Sequence, residues 1–237
     1  MLENLPLFVS IVFILATILT LLLVFWTVKN STSLKVRGYA SGILVALVIW
    51  LIIQGVLTLN NVYSAFPNFF PPTILLFGIL PALITVLILF VSKTGQRFMD
   101  SLMLTNLTCI HLVRIPVELV LYWLFLNKFI PELMTFEGRN FDIIAGLTAP
   151  IVIYFGLIKS GVKTKVVLLW NVICLGLLLN IVVNAFLSAP SPVQKFAFDQ
   201  PNIAILHFPF SWLPTFIVPV VLLSHLISIR KLINSRG

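Results

Sequence analysis

Charge is what this 237-residue chain has least of: only 9% of its residues are Asp, Glu, Lys or Arg. A soluble domain of this length carries roughly a quarter. With 60% hydrophobic residues and a mean hydropathy of +1.13, most of the apolar surface requires lipid as its solvent. Two cysteines, Cys109 and Cys174, stand inside apolar runs with no CxxC or Cys/His spacing, so they read as small buried hydrophobes rather than as a disulfide or a metal site. Three histidines are too few for a polyhistidine membrane enzyme, and HExxH is absent, so a zinc site has no support. Glycines such as Gly95, Gly138 and Gly161 stand alone, which leaves no phosphate-binding loop. The last apolar run has no mid-span lysine, which argues against a retinal Schiff base. No cofactor is implied. The N-terminus carries Glu3 and no basic segment, and its first apolar run is longer than a signal-peptide core, so it reads as a retained helix.

Apolar runs are what the chain does have. Seven approach the roughly 20 residues that a membrane helix needs: Pro6–Val28, Gly38–Asn60, Pro72–Ser92, Leu102–Leu126, Phe141–Ile158, Val166–Leu187 and Phe210–Ile229. They are too long, and too uniformly apolar, for barrel strands. The expected fold is therefore all-α: a polytopic seven-transmembrane helix bundle forming one integral membrane domain over residues 1–237.

Sorting the basic residues gives an orientation. The segments after runs one, three, five and seven hold Lys29, Lys35, Arg37, Lys93, Arg97, Lys159, Lys163, Lys165, Arg230, Lys231 and Arg236. The opposite side has Lys128, Arg139 and Lys195, together with most of the acids. Short basic loops stay in the cytoplasm, so the N-terminus is expected outside and the C-terminus inside. The net charge of +8 is then a topology signal, with the lipid bilayer and its anionic head groups as the partner rather than nucleic acid. Short loops and small size suggest a multi-pass protein of a prokaryotic plasma membrane.

The fourth run breaks the apolar monotony. At about 100° per residue, His111, Arg114, Glu118 and Tyr122 share a stripe about 80° wide. Arg114 stands about 12 residues from either end, where a guanidinium costs roughly 2.5–3.5 kcal/mol on the insertion scale. Its i, i+4 spacing to Glu118 allows a direct ion pair. Pro116 removes a backbone donor and leaves the Leu112 carbonyl without its helical partner. Ionisable groups held at such cost tend to mark binding sites, proton paths or ion paths.

Further polar residues fall at a similar depth on the outer side. Glu137, Arg139 and Asp142 cluster where the chain re-enters the membrane. Asn140 suits a helix N-cap, and Asp142 suits either the first-turn dipole or a lid over a cavity mouth. Asn171, Asn180 and Asn184 lie on the sixth run, the last two in its outer half, and His207 precedes the proline-rich start of the seventh. His225 is read as lying too near the cytoplasmic end to join them. The candidate ligand-binding set is therefore His111, Arg114, Glu118, Tyr122, Glu137, Arg139, Asp142, Asn180, Asn184 and His207. Three functions fit it. The first is binding or transport of a small polar or anionic solute or an ion, and the second is a non-catalytic membrane subunit or sensor. The third is a membrane-embedded enzyme in which Glu118 or a histidine moves a proton and Arg114 holds negative charge.

Overall fold

The computed structural model describes residues 2–66, 68–159 and 164–234. Three residues named above, Gly161, Lys163 and Arg236, lie outside them. The described residues form helices and connections, with no strand. The helices are α1 (Leu7–Lys29), α2 (Leu34–Gly38), α3 (Ala40–Leu59), α4 (Leu75–Val91), α5 (Lys93–Ser101), α6 (Leu104–Leu126), α7 (Ile143–Ile158), α8 (Thr164–Ser188) and α9 (Leu213–Asn234).

Five of these, α1, α3, α6, α8 and α9, are long and apolar enough to cross a membrane, and α4 with α5 makes a sixth if that bent pair is one span. The bend between α4 and α5 is 89°. Ser92 makes it: its backbone is extended, and its side chain accepts from Gly95 N at 3.0 Å, ending one helix and capping the next. Helix α7 is apolar but has only 16 residues, about 24 Å at 1.5 Å per residue.

Burial identifies the centre of the bundle. In α6 and α9 half of the most apolar 18-residue window is buried, against 17–28% in α1, α3 and α8. The outer helices turn large aliphatic side chains outward, such as Val45, Ile49, Ile52 and Val56 of α3. Their buried faces mix apolar residues such as Phe13, Leu51 and Leu178 with hydroxylated ones, and in α1 the buried hydroxyls bond within their own helix. Thr17 Oγ1 donates to Phe13 O at 3.0 Å and Thr20 Oγ1 to Ala16 O at 2.8 Å, so neither needs an external partner.

Four helices depart from regular geometry. The turns Leu75–Ile79, Val152–Ile158 and Leu213–Ile217 are π-helical. In α6 the turn His111–Val113 tightens to a 3-10 helix one turn ahead of Pro116, which has no N–H to offer Leu112. Gly146 of α7 packs against that tightened turn. A Cβ there would sit 2.9 Å from Ile115 Cγ1 and 3.3 Å from His111 O, so glycine lets the two helices meet at backbone distance.

The two longest connections dock on each other. Gln200 Nε2 donates to Phe125 O at 3.2 Å, and the Ile203 and Ala204 amides donate to Phe129 O at 3.1 and 3.2 Å. They cover the end of the bundle where α6 finishes and α7 and α9 begin.

Candidate functional site

Arg114 is 3% exposed, and its guanidinium is committed in two directions. Nη1 donates to Asp142 Oδ1 at 2.9 Å, forming an ion pair whose two side chains are 3% and 6% exposed. Nη2 lies 2.9 Å from His225 Nε2. An arginine nitrogen can only donate, so His225 Nε2 accepts and the ring carries its proton on Nδ1. That Nδ1 donates to Asn171 Oδ1 at 3.0 Å, and Asn171 Nδ2 donates to Val167 O at 3.0 Å. A directional chain of hydrogen bonds therefore links α7, α6, α9 and α8.

Three sequence-based expectations are corrected here. The ion-pair partner of Arg114 is Asp142, 28 residues along the chain, and not Glu118 one helical turn away. Nor is His225 excluded by depth, since it bonds directly to Arg114. Asp142 is buried inside the cluster and does not form a lid, and its side chain does not cap α7.

Glu118 is 2% exposed and held differently. Asn140 Nδ2 lies 2.8 and 2.7 Å from its two carboxylate oxygens and 3.0 Å from Met134 O, while Asn140 Oδ1 accepts from Asp142 N at 3.0 Å. Asn140 thus organises the entry to α7, as a capping residue would, and also clamps Glu118. Its amide has two hydrogens for three acceptors. A carboxylate with about four lone-pair sites therefore receives little more than one hydrogen, and no ion pair reaches it among the described residues. Burying a carboxylate so poorly supplied with donors is costly unless a proton, a cation or a donor completes it.

A cavity of about 300 Å³ lies beside it. Glu118 and Asp142 are the charged residues on its wall. The rest is largely apolar, including Leu121 of α6, Ile181 of α8, Leu83 of α4 and Val218 of α9, with the Tyr63 and Thr73 side chains at one side. Leu75 and Ile79 from the π-turn of α4, and Leu213 and Pro214 from that of α9, also face it. Tyr63 donates to Gln54 Oε1, and burial pushes its phenol up to about 12.

Of the remaining candidates His111 stays with the cluster, against His225, and the others separate from it. His111 is fully buried, but neither ring nitrogen has a partner among the described residues; it stacks on His225 at 3.9 Å and meets Trp170 edge-on at 5.5 Å. Tyr122 is half-buried beyond the cavity, near Phe136 and Glu137. Glu137 and Arg139 are exposed. Asn180 donates to Arg139 O at 2.8 Å and Asn184 to Asn180 Oδ1 at 3.3 Å, which ties α8 to the α6–α7 connection away from the cavity wall. His207 is half-buried in the connection before α9 and does not line the cavity; burial lowers its pKa. Among the described residues no three His, Cys, Asp or Glu side chains are grouped to hold a metal ion.

Residues 71–233 match a protein family described as a domain of unknown function (DUF8737). The chain belongs to that family. The matched segment contains Arg114, Glu118, Asn140, Asp142, Asn171 and His225, whereas α1 to α3 precede it. No curated protein and no solved structure matches the chain.

Proposed function

We propose that this protein is a seven-span membrane protein that binds, and moves across the membrane, a small amphiphilic solute whose polar end is a cation or a hydrogen-bond donor seated at Glu118. The observation that carries this reading is the shortage of donors at Glu118 on the wall of an otherwise apolar cavity. An anionic solute is the weaker fit, because Arg114 is already engaged by Asp142 and His225. Catalysis has less support as well, since the clamp on Glu118 is an amide and not a second acid or base. Transport is favoured over simple binding by the two π-turns on the cavity wall. π-turns inside α-helices recur at functional sites, and interrupted helices form the binding sites of transporters.

In the seven-span plan α4 and α7 complete the five longer helices, with α5 lying flat at the interface. The N-terminus lies outside and the C-terminus in the cytoplasm, on the strength of the basic connections. Plasma-membrane residence in a prokaryote rests on the short loops alone.

The test is binding and uptake by purified protein in proteoliposomes, using alkylamines and arylalkylamines against alcohols and carboxylates with the same apolar body. Amines are expected to bind best. Glu118→Gln is expected to weaken amine binding on the order of thirtyfold or more, the cost of removing a buried charge partner, and to leave alcohol binding nearly unchanged. Equal binding of carboxylates, or unchanged amine binding by the folded variant, would overturn the assignment.

A further inference from the structure

A second cavity, of about 580 Å³, opens at the end of the bundle that carries most of the basic connections. It lies among α1 to α6 and α9, and its size falls in the range of roughly 300–1,000 Å³ typical of ligand sites. Its floor is aliphatic, built from Ile43, Leu47, Leu89, Ile110 and Leu223. The hydroxyls that reach this floor are already committed to backbone carbonyls. Thr27 Oγ1 donates to Leu23 O at 2.7 Å, Thr85 Oγ1 to Pro81 O at 2.9 Å and Ser224 Oγ to Leu107 O at 2.6 Å. The interior therefore offers dispersion contacts and little polarity.

The mouth has the opposite character. Lys35 and Arg97 line it, both exposed, with Ser33 and Thr94 beside them. No carboxylate is among the described lining residues, and neither cation is in an ion pair. Asp100, the acid on the same short helix as Arg97, is taken by Arg230. Because α5 turns 89° away from α4, Arg97 lies level with the membrane surface in the orientation proposed above, where a head-group phosphate would be.

We infer that this cavity is a binding site for an acidic phospholipid of the surrounding leaflet, with its phosphate between Lys35 and Arg97 and one acyl chain along the aliphatic floor. Two unpaired cations above a hydrocarbon-lined interior match an anion that carries a chain. A zwitterionic lipid brings its own cation into the same mouth, and free phosphate makes no use of the floor. The site is separate from the cavity at Glu118 and does not depend on what binds there.

The experiment is native mass spectrometry of the full chain in detergent, titrated with phosphatidylglycerol, phosphatidylcholine or inorganic phosphate. One tightly retained phosphatidylglycerol per chain is expected. Lys35→Gln and Arg97→Gln should each weaken it by roughly fivefold, near the contribution of one surface cation to acidic-lipid binding. Lys159→Gln removes a basic connection that does not line the cavity and should leave retention unchanged. Leu89→Trp, which fills the floor, should displace the lipid while both cations remain. Equal retention of phosphatidylcholine, equal loss with Lys159→Gln, or inorganic phosphate competing as well as the lipid would each overturn the site.

Discussion

The buried Arg114–Asp142 pair permits a double-mutant cycle whose outcome is fixed by which groups each substitution strands. The two side chains are 3% and 6% exposed and 2.9 Å apart. Asp142→Asn leaves the guanidinium buried without its counter-charge, and breaking such a pair costs about 3–5 kcal/mol. Arg114→Met strands the Asp142 carboxylate and also deprives His225 Nε2 of its donor, so it should cost at least as much. The double variant has no buried charge left at this pair; its remaining defects are the unsatisfied His225 nitrogen and the amide at position 142, neutral groups that cost less to strand than a charge. It should therefore be more stable than either single variant. The exposed pair Arg230–Asp100, whose side chains are 22% and 52% exposed, is the internal control, and Asp100→Asn should cost about 0–1 kcal/mol. Reversible unfolding in mixed detergent micelles measures all of these on one scale. Asp142→Asn costing under about 1 kcal/mol, or a double variant equal to the sum of the singles, would refute the account of a desolvated, mutually dependent pair.

Two other predictions concern the surroundings of Gln54. A Cβ at Gly78 would fall 2.4 Å from Thr215 Cγ2 and 3.1 Å from Gln54 Oε1, so Gly78→Ala should destabilise by about 1–3 kcal/mol. Thr215→Ser removes the clashing methyl and should recover part of that loss in thermal unfolding; no recovery would mean that the strain lies elsewhere. The phenol of Tyr63 is raised from 10.0 to about 12 by burial. A raised folded pKa gives stability that is present below pH 10 and is lost as the pH climbs from about 10 through 12. In a phenolate absorbance titration, one of the four tyrosines should ionise late, and Tyr63→Phe should abolish the late step. Simultaneous ionisation of all four would contradict the burial.

How far the sequence carried the reading depended on the range of the interaction. The polar stripe of α6 was legible because helical periodicity is a local property, and the depth of Arg114 follows from counting residues. The partner of Arg114 was not legible. Glu118 is the nearest acid along the helix, but Asn140 holds it in place, while Asp142 arrives through the α6–α7 connection. His225 was misplaced for a specific reason. Ending the last span where the charges begin, at Ile229, leaves His225 a single turn from the end. In the structure α9 runs from Leu213 to Asn234, its basic residues continuing the same helix. Counted from the end of the bundle where α6 finishes and α9 begins, His225 is 225 − 213 = 12 residues into α9 and Arg114 is 126 − 114 = 12 residues into α6. Both lie about 18 Å from that end at 1.5 Å per residue, so they meet. A polar pocket around Glu118 was expected from the stripe, but the apolar remainder of the cavity wall was not legible. It is assembled from aliphatic residues of four helices, and nothing in an apolar run distinguishes a side chain that faces a void from one that faces lipid.

Hydrogen-bond supply separates the two charged centres of α6, which lie one turn apart on the same face. At Arg114 both terminal nitrogens are bonded, while Nε has no partner among the described residues: the acid, the imidazole and the asparagine behind it form a chain whose donors and acceptors fix one another's direction down to a backbone carbonyl. Such a chain joins four helices and suits a fixed element, because any shift strands a charge. At Glu118 a single amide serves three acceptors, and the unmet remainder of the carboxylate lies on a cavity wall that two π-turns help to form. A group left incomplete beside a void is completed by whatever enters the void. Under the proposed function the Arg114 centre is the scaffold against which Glu118 exchanges its occupant, and substitutions at the two should separate cleanly: stability at Arg114 and Asp142, ligand affinity at Glu118.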